Sequence, residues 1–133
     1  MFCNGVLRAL GVEERRLTVV FVSPRKMRNL NRQFLGRDYV TDVLSFAYGG
    51  EIVEGSSFLG EIVIAPEIAW RQARLWRSEP ERELRKLLVH GILHLLGYDH
   101  ESDAGEMNRL QQRLLRRQAL SRAFPAAILS VET

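Results

Sequence analysis

Residues 87–96, LLVHGILHLL, contain no aspartate, glutamate, lysine or arginine, yet they contain two histidines. An apolar run of this length, bounded by a charged helical pattern, is a helix passing from the surface into a core. Leu84, Leu87, Leu88, Ile92 and Leu95 keep helical spacing and form the core stripe. Whatever fold the chain adopts must therefore carry His90 and His94 inward on one helix. Four residues turn a helix through about 400° and raise it about 6 Å, so the two rings share a face, one turn apart. His100, the last of the three histidines, completes the stretch HGILHLLGYDH. It cannot join the other two from the same helix, because six more residues carry it about 9 Å on and around to the far side. Gly97 stands where a break works, since glycine takes the left-handed conformation that ends helices. A turn through Gly97-Tyr98-Asp99 can then bring His100 back.

Two imidazoles one turn apart can converge on one ion, and a third from the turn completes a three-histidine set. Three protein ligands on zinc leave the fourth position for water, which is the catalytic pattern; structural sites are usually closed by four. One Zn2+ per chain is expected, and a zinc-bound water would have its pKa lowered toward about 7. The competing view is two packed core histidines and one on the surface. The clustering of every histidine, with a glycine break before the third, favours the metal. The only cysteine, Cys3, has no partner for a disulfide or a zinc-finger site, and it fits a reducing compartment.

The remaining pattern interleaves strands and helices. The segment 4–11 reads as a short helix and 17–22, LTVVFV, as a buried strand. Ser23-Pro24 starts a helix that places Met27, Leu30 and Phe34 on one face and ends at Gly36. TDVLSFAY (41–48) and FLGEIVIA (58–65) read as strands separated by a turn-rich loop, GGEIVEGSS. Pro66 opens a helix to about Arg77 with Trp70, Ala73 and Trp76 toward the core. Ser78 and Glu81 have capping-box spacing before the histidine helix, and Asp103 and Glu106 before a last helix to about Leu120. The expected fold is α/β (α+β): residues 1–133 as one hydrolase domain, with a small mixed sheet of about four strands, or three, covered by helices. The net charge of +3 and pI of about 9.5 favour a polyanionic partner without specifying a fold. No apolar run approaches the roughly 20 residues of a membrane span. No secretory signal is read at the start, so a cytoplasmic location is expected.

The spacing His-x3-His-x2-Gly-x2-His is that of the metzincin proteases, which place a glutamate directly after the first histidine as general base. Here that position is Gly91, so peptide hydrolysis is disfavoured. HGILHLLGYDH instead resembles the hallmark of the bacterial YbeY family of rRNA maturation factors. LNRQFLGRDYVTDVLSF (30–46) and GEIVIAPE (60–67) resemble two further family segments in the family's order, so the likeness spans about residues 17 to 115. The resemblance implies a small α/β domain with His90, His94 and His100 as zinc ligands. It also implies a single-strand-specific endoribonuclease acting in 16S rRNA 3′-end maturation and ribosome quality control, with the ribosome or small-subunit proteins as partners. Where family members often carry an arginine before the glycine of their R-G-x-D segment, this chain has Leu35; Arg37 could reach the same phosphate or be a solvated loop residue. Relatives have a longer N-terminus, so an edge strand is expected to be missing or the start to be misassigned.

Other candidates are graded by chemistry. Asp99 reads as a turn cap or as a partner of a ligand imidazole, with acid/base action on the bound water as the rival role. Glu61 would line the same cleft as a base. Asp42 and Ser45 would satisfy backbone groups beside the cleft. Arg109, Arg113, Arg116 and Arg117 form a basic stripe opposite Met107, Leu110 and Leu114, suited either to RNA phosphates or to a solvated face. Trp70 and Trp76 read as core rather than as stacking platforms. The rival functions are a metalloprotease-like or other small metal hydrolase, and a non-catalytic ribosome-assembly factor with a structural metal.

Overall fold

The computed structural model describes residues 6, 8–10, 16–47, 52–53, 56–99, 103–117 and 128–132. The chain runs β1 (Arg16–Val22), α1 (Pro24–Leu35), β2 (Val43–Ala47), β3 (Ile52–Val53), β4 (Ser56–Ile64), α2 (Pro66–Leu75), α3 (Pro80–Leu95), α4 (Glu106–Arg117) and β5 (Ile128–Glu132). The sheet order is β2-β4-β1-β5, with β3 paired to β4. β1 is parallel to both β4 and β5, and β2 is antiparallel to β4, so the sheet is mixed as expected. Two features of it were not anticipated. The stretch expected as a turn-rich loop holds β3 and the start of β4, and β5 adds a strand beyond β1. Val6 is buried in the core and Leu10 N–H donates to its carbonyl at 3.1 Å; the ends of the expected first helix lie outside the described residues.

Alternation along the strands divides the core in two. Val19, Ile62 and Ile64 face α3, where Leu88, Ile92 and Leu93 are fully buried. Val20, Val22, Val63 and Ala65 face Met27 of α1. Each fully buried leucine or isoleucine contributes about 1.5–3 kcal/mol. The sheet can approach α3 closely because Gly60 lacks a side chain. A Cβ there would collide with the Phe46 carbonyl oxygen and come within 2.7 Å of Leu95 Cδ2, and its φ of +154° suits glycine alone.

The helix ends follow the sequence in part. The Ser23 hydroxyl accepts from Lys26 N–H at 3.1 Å, and Gly36, at φ +67°, terminates α1. At the start of α3 the expected Ser78–Glu81 box does not form. The cap is Glu79 without a side-chain bond, because Ser78 N–H is already committed to Ala73 O at 2.8 Å, closing α2. At α4, Asp103 Oδ2 accepts from Met107 N–H at 2.9 Å and Glu106 Oε2 from Ala104 N–H at 2.7 Å, a reciprocal cap set slightly ahead of the helix.

Two apolar assignments are corrected. Trp70 and Trp76 are 49% and 59% exposed, because α2 turns Ala69 and Ala73 inward, and small residues let it pack closely. Phe34 is likewise 57% exposed; only Met27 of its expected face is fully buried, with Leu30 partly so. Lys86 Nζ lies 5.4 Å from the Trp76 ring centroid.

The end of α2 also stores strain. Arg77, just past the helix, has φ +51°, the only described non-glycine residue at positive φ. It fills the position where helices ending this way prefer glycine. Arg77→Gly is therefore expected to raise stability by about 0.5–1 kcal/mol, read as a higher denaturant midpoint at unchanged slope.

Candidate metal centre

The core stripe of α3 fixes its rotation and turns His90 and His94 toward the edge strand β2. Both rings are half-buried. His90 Nδ1 lies 3.0 Å from Gln111 Oε1 of α4, and His94 Nδ1 lies 3.0 Å from the Tyr98 carbonyl. Carbonyl oxygens only accept, so each Nδ1 carries the hydrogen and donates. The two Nε2 atoms are then lone-pair donors, and they face each other at 3.0 Å. With both rings neutral, the two lone pairs converge on one point, where a cation would be bound by both. Ligand nitrogens on a tetrahedral zinc with bonds of about 2.0–2.1 Å sit roughly 3.3 Å apart, so a small outward shift of either ring admits the ion. The donor set thus fits a transition-metal ion. Among the described residues no third histidine, cysteine or carboxylate completes a metal-holding group. His100, the expected third ligand, lies outside the described residues.

The turn that would deliver His100 begins as its sequence indicates. Gly97 has φ +97°; its N–H donates to His94 O and that of Tyr98 to Leu93 O, both at 3.0 Å. This double bond pattern is the Schellman ending of a helix. The same turn orients the Tyr98 carbonyl that holds His94 Nδ1.

A cleft of about 650 Å3 opens over the histidine pair, and Arg37, Asp42, Ser45 and Asp99 line it with His90 and His94. Leu35 lines it too. The Ser45 hydroxyl donates to Gly91 O at 3.4 Å, whereas the bond at Asp42, from Ala65 N–H at 2.9 Å, is accepted by its main-chain carbonyl and not by its side chain. The Asp99 carbonyl accepts from Asp103 N–H at 3.2 Å. Glu61 is not in this cleft. Its strand alternation turns it, with Val63, to the α1 side, where it lines a neighbouring cavity with Lys26 and Leu30. Arg109, Arg113 and Arg116 are exposed on α4 and none lines the cleft; the side chain of Arg117 lies outside the described residues. Met107 and Leu114 are buried on the opposite side of α4, with Leu110 partly so.

Three site features escaped the sequence reading. Gln111 was one, although it is a polar residue inside the apolar stripe Met107–Leu114, and it is buried with its carbonyl on His90. Asn31 was another: it is buried and donates through Nδ2 to Tyr39 O at 2.9 Å. The third is the loop after α1, which is pinned by Arg28. Its Nε and Nη2 donate to Asp38 Oδ1 and Oδ2 at 2.9 and 3.3 Å. That hydrogen bond, then the guanidinium charge, holds the Asp38 carboxyl below its ordinary range.

Comparison with known proteins places the chain in a family. Residues 3–119 match the family described as Endoribonuclease YbeY. A protein named Endoribonuclease YbeY from Thermodesulfovibrio yellowstonii is 45% identical over 102 residues, covering 74% of this chain and 64% of the relative. One of the same name from Aquifex aeolicus is 42% identical over 106 residues, covering 80% and 70%. One from Anaeromyxobacter sp. is 40% identical over 134 residues, covering 96% and 69%. The chain thus spans about two thirds of the length of these relatives, and less than that of the first. A solution structure of a Thermotoga maritima protein superposes with a TM-score of 0.63 at 31% identity, covering 96% of this chain and 87% of that one.

Gly91 carries a testable consequence. A Cβ there would meet Ile62 Cγ2 at 3.0 Å and Ser45 Oγ at 3.1 Å. Gly91→Glu, which restores the protease glutamate, forces a carboxylate against the sheet and is expected to cost about 3–5 kcal/mol by denaturant unfolding, without creating peptidase activity.

Proposed function

The chain belongs to the YbeY endoribonuclease family, and on that premise we propose that it is a zinc-dependent endoribonuclease specific for single-stranded RNA. Its proposed role is 16S rRNA 3′-end maturation and ribosome quality control in the cytoplasm, in contact with the ribosome or small-subunit proteins. The observation that carries the reading is the pair of Nε2 atoms 3.0 Å apart, each ring oriented by a carbonyl acceptor. His90, His94 and His100 would hold the ion. Bound there, it would supply Lewis-acid polarisation of a phosphoryl oxygen and acidify water.

The chain's own residues do the rest. Gln111 and the Tyr98 carbonyl keep both imidazoles in the tautomer that leaves Nε2 as donor. Arg37 lines the cleft with its Nη1 3.4 Å from the Tyr39 hydroxyl, where a guanidinium suits a phosphate. Of the two carboxylates considered as base, Asp99 lines the histidine cleft and Glu61 does not. The position after the first histidine, where a peptidase keeps its base, is blocked by Ile62 and Ser45, which supports RNA over peptide as substrate. The absence of any described helix long and apolar enough to cross a membrane is compatible with this setting.

The test is cleavage of a single-stranded RNA by zinc-loaded protein beside His90→Ala and His94→Ala, all freed of contaminating nucleases. Each variant is expected to lose about 100-fold or more, as removal of several kcal/mol of charge stabilisation requires. Equal cleavage by all three would sink the enzyme reading, and rescue of defective 16S 3′ ends by His94→Ala would favour an assembly factor. Gln111→Ala is expected to weaken zinc binding about 10- to 100-fold by competition with a chelating dye, with little change in fold.

A further inference from the structure

Part of the lining of the histidine cleft is apolar and exposed. Phe34, Leu35 and Tyr39 are 57%, 50% and 52% exposed, and all three line the cleft that contains His90 and His94. Large apolar side chains usually bury, so three exposed together on a functional cleft are informative. They are also held in place. Phe34 packs edge-to-face on Phe46, with ring centroids 5.4 Å apart. Tyr39 sits on a loop fixed at one end by Gly36, in its middle by the Arg28–Asp38 pair, and at Tyr39 itself by the Asn31 amide. Arg37 places a guanidinium beside the Tyr39 hydroxyl.

We propose that Phe34 and Tyr39 form a stacking subsite for an unpaired nucleobase of an RNA strand, directly beside the histidine pair, with Arg37 at the adjoining phosphate. The inference rests on the ribonuclease reading and adds to it the origin of strand selectivity. Rings already held in position lose little freedom when a base stacks on them. Every base presents a π-face, so such a subsite tolerates any sequence. In a duplex both faces of each base are covered by its neighbours, so the subsite accepts only an unpaired nucleotide. The selectivity then comes from the α1–β2 wall and not from the metal ligands.

The experiment measures binding of zinc-loaded full-length protein by fluorescence anisotropy at fixed salt. The probes are a 2′-O-methyl octauridylate, an abasic oligomer of equal charge, and a duplex. Wild type is expected to prefer the base-bearing strand over the abasic one by about tenfold or more, and to bind the duplex no better than the abasic strand. Phe34→Ala and Tyr39→Ala should each lose about 5- to 100-fold on octauridylate while holding their affinity for the abasic oligomer, and Tyr39→Trp should retain binding. In cleavage assays the loss should fall on KM more than on kcat. Both side chains are more than half exposed, so the alanine variants should keep the wild-type melting temperature. Equal wild-type affinity for the base-bearing and abasic strands overturns the subsite alone, as does an unchanged preference in both alanine variants. Failure of wild type to bind any RNA overturns the ribonuclease reading and the subsite with it.

Discussion

The close approach of α3 to strands β2 and β4 is the contact on which the rest of the site depends. It is possible only because Gly91 on the helix and Gly60 on the strand present no side chains where the two surfaces meet. With Ile92 and Leu88 buried against the sheet, the rotation of the helix is fixed, and one turn of the remaining circumference carries His90 and His94 together. A methyl group at Gly91 would push on Ile62 and on the Ser45 hydroxyl, which itself touches the Gly91 carbonyl. The packing of the core and the placing of His90 and His94 are one constraint. A rotation of the helix that relieved the first would undo the second.

The histidine rings are then oriented by groups that also perform structural tasks. Tyr98 N–H closes the helix on Leu93 O while its carbonyl accepts from His94. Gln111 lies among the buried residues of α4 and accepts from His90. The burial of a polar side chain such as Gln111 is costly unless it is hydrogen-bonded, and the imidazole satisfies it. Both rings are therefore oriented by groups the fold already places there: a main-chain carbonyl of the helix-ending turn and a buried side chain of α4.

Much of this was legible in the chain. The helix stripe, the shared face of His90 and His94 and the break at Gly97 all follow from helical geometry and glycine's freedom at positive φ. The cap at Ser23 and the end at Gly36 were local and therefore readable. What escaped depended on neighbours. The spacing of Ser78 and Glu81 satisfied a local rule, but Ser78 N–H was already taken by the preceding helix. Trp70 and Phe34 fell on plausible apolar faces, yet the alanines of α2 and Met27 of α1 proved to be the residues the core accepts. β5 is a five-residue strand whose pairing with β1 is long-range, and no local pattern announces such a partner. Glu61 alternates with Ile62 along its strand, as the sequence indicates, but the face it takes is the one covered by α1, which strand alternation alone does not specify.

Phe34 lies in the last turn of α1 and is 57% exposed. α1 covers the sheet with Met27 and, in part, Leu30, while the Phe34 ring stays outside that cover, edge-to-face on Phe46. An aromatic left there without a core to enter would ordinarily be a liability for association. Two polar ties, Asn31 to Tyr39 and Arg28 to Asp38, instead hold the following loop beside it. The Arg28–Asp38 pair lies in water and adds little to stability. Its consequence is geometric: it ties down the loop that carries Arg37 and Tyr39 into the lining of the histidine cleft. On the proposed reading the substrate offers an anionic backbone near the histidines and an unpaired planar group to Phe34 and Tyr39, and a single strand of RNA carries both within one nucleotide.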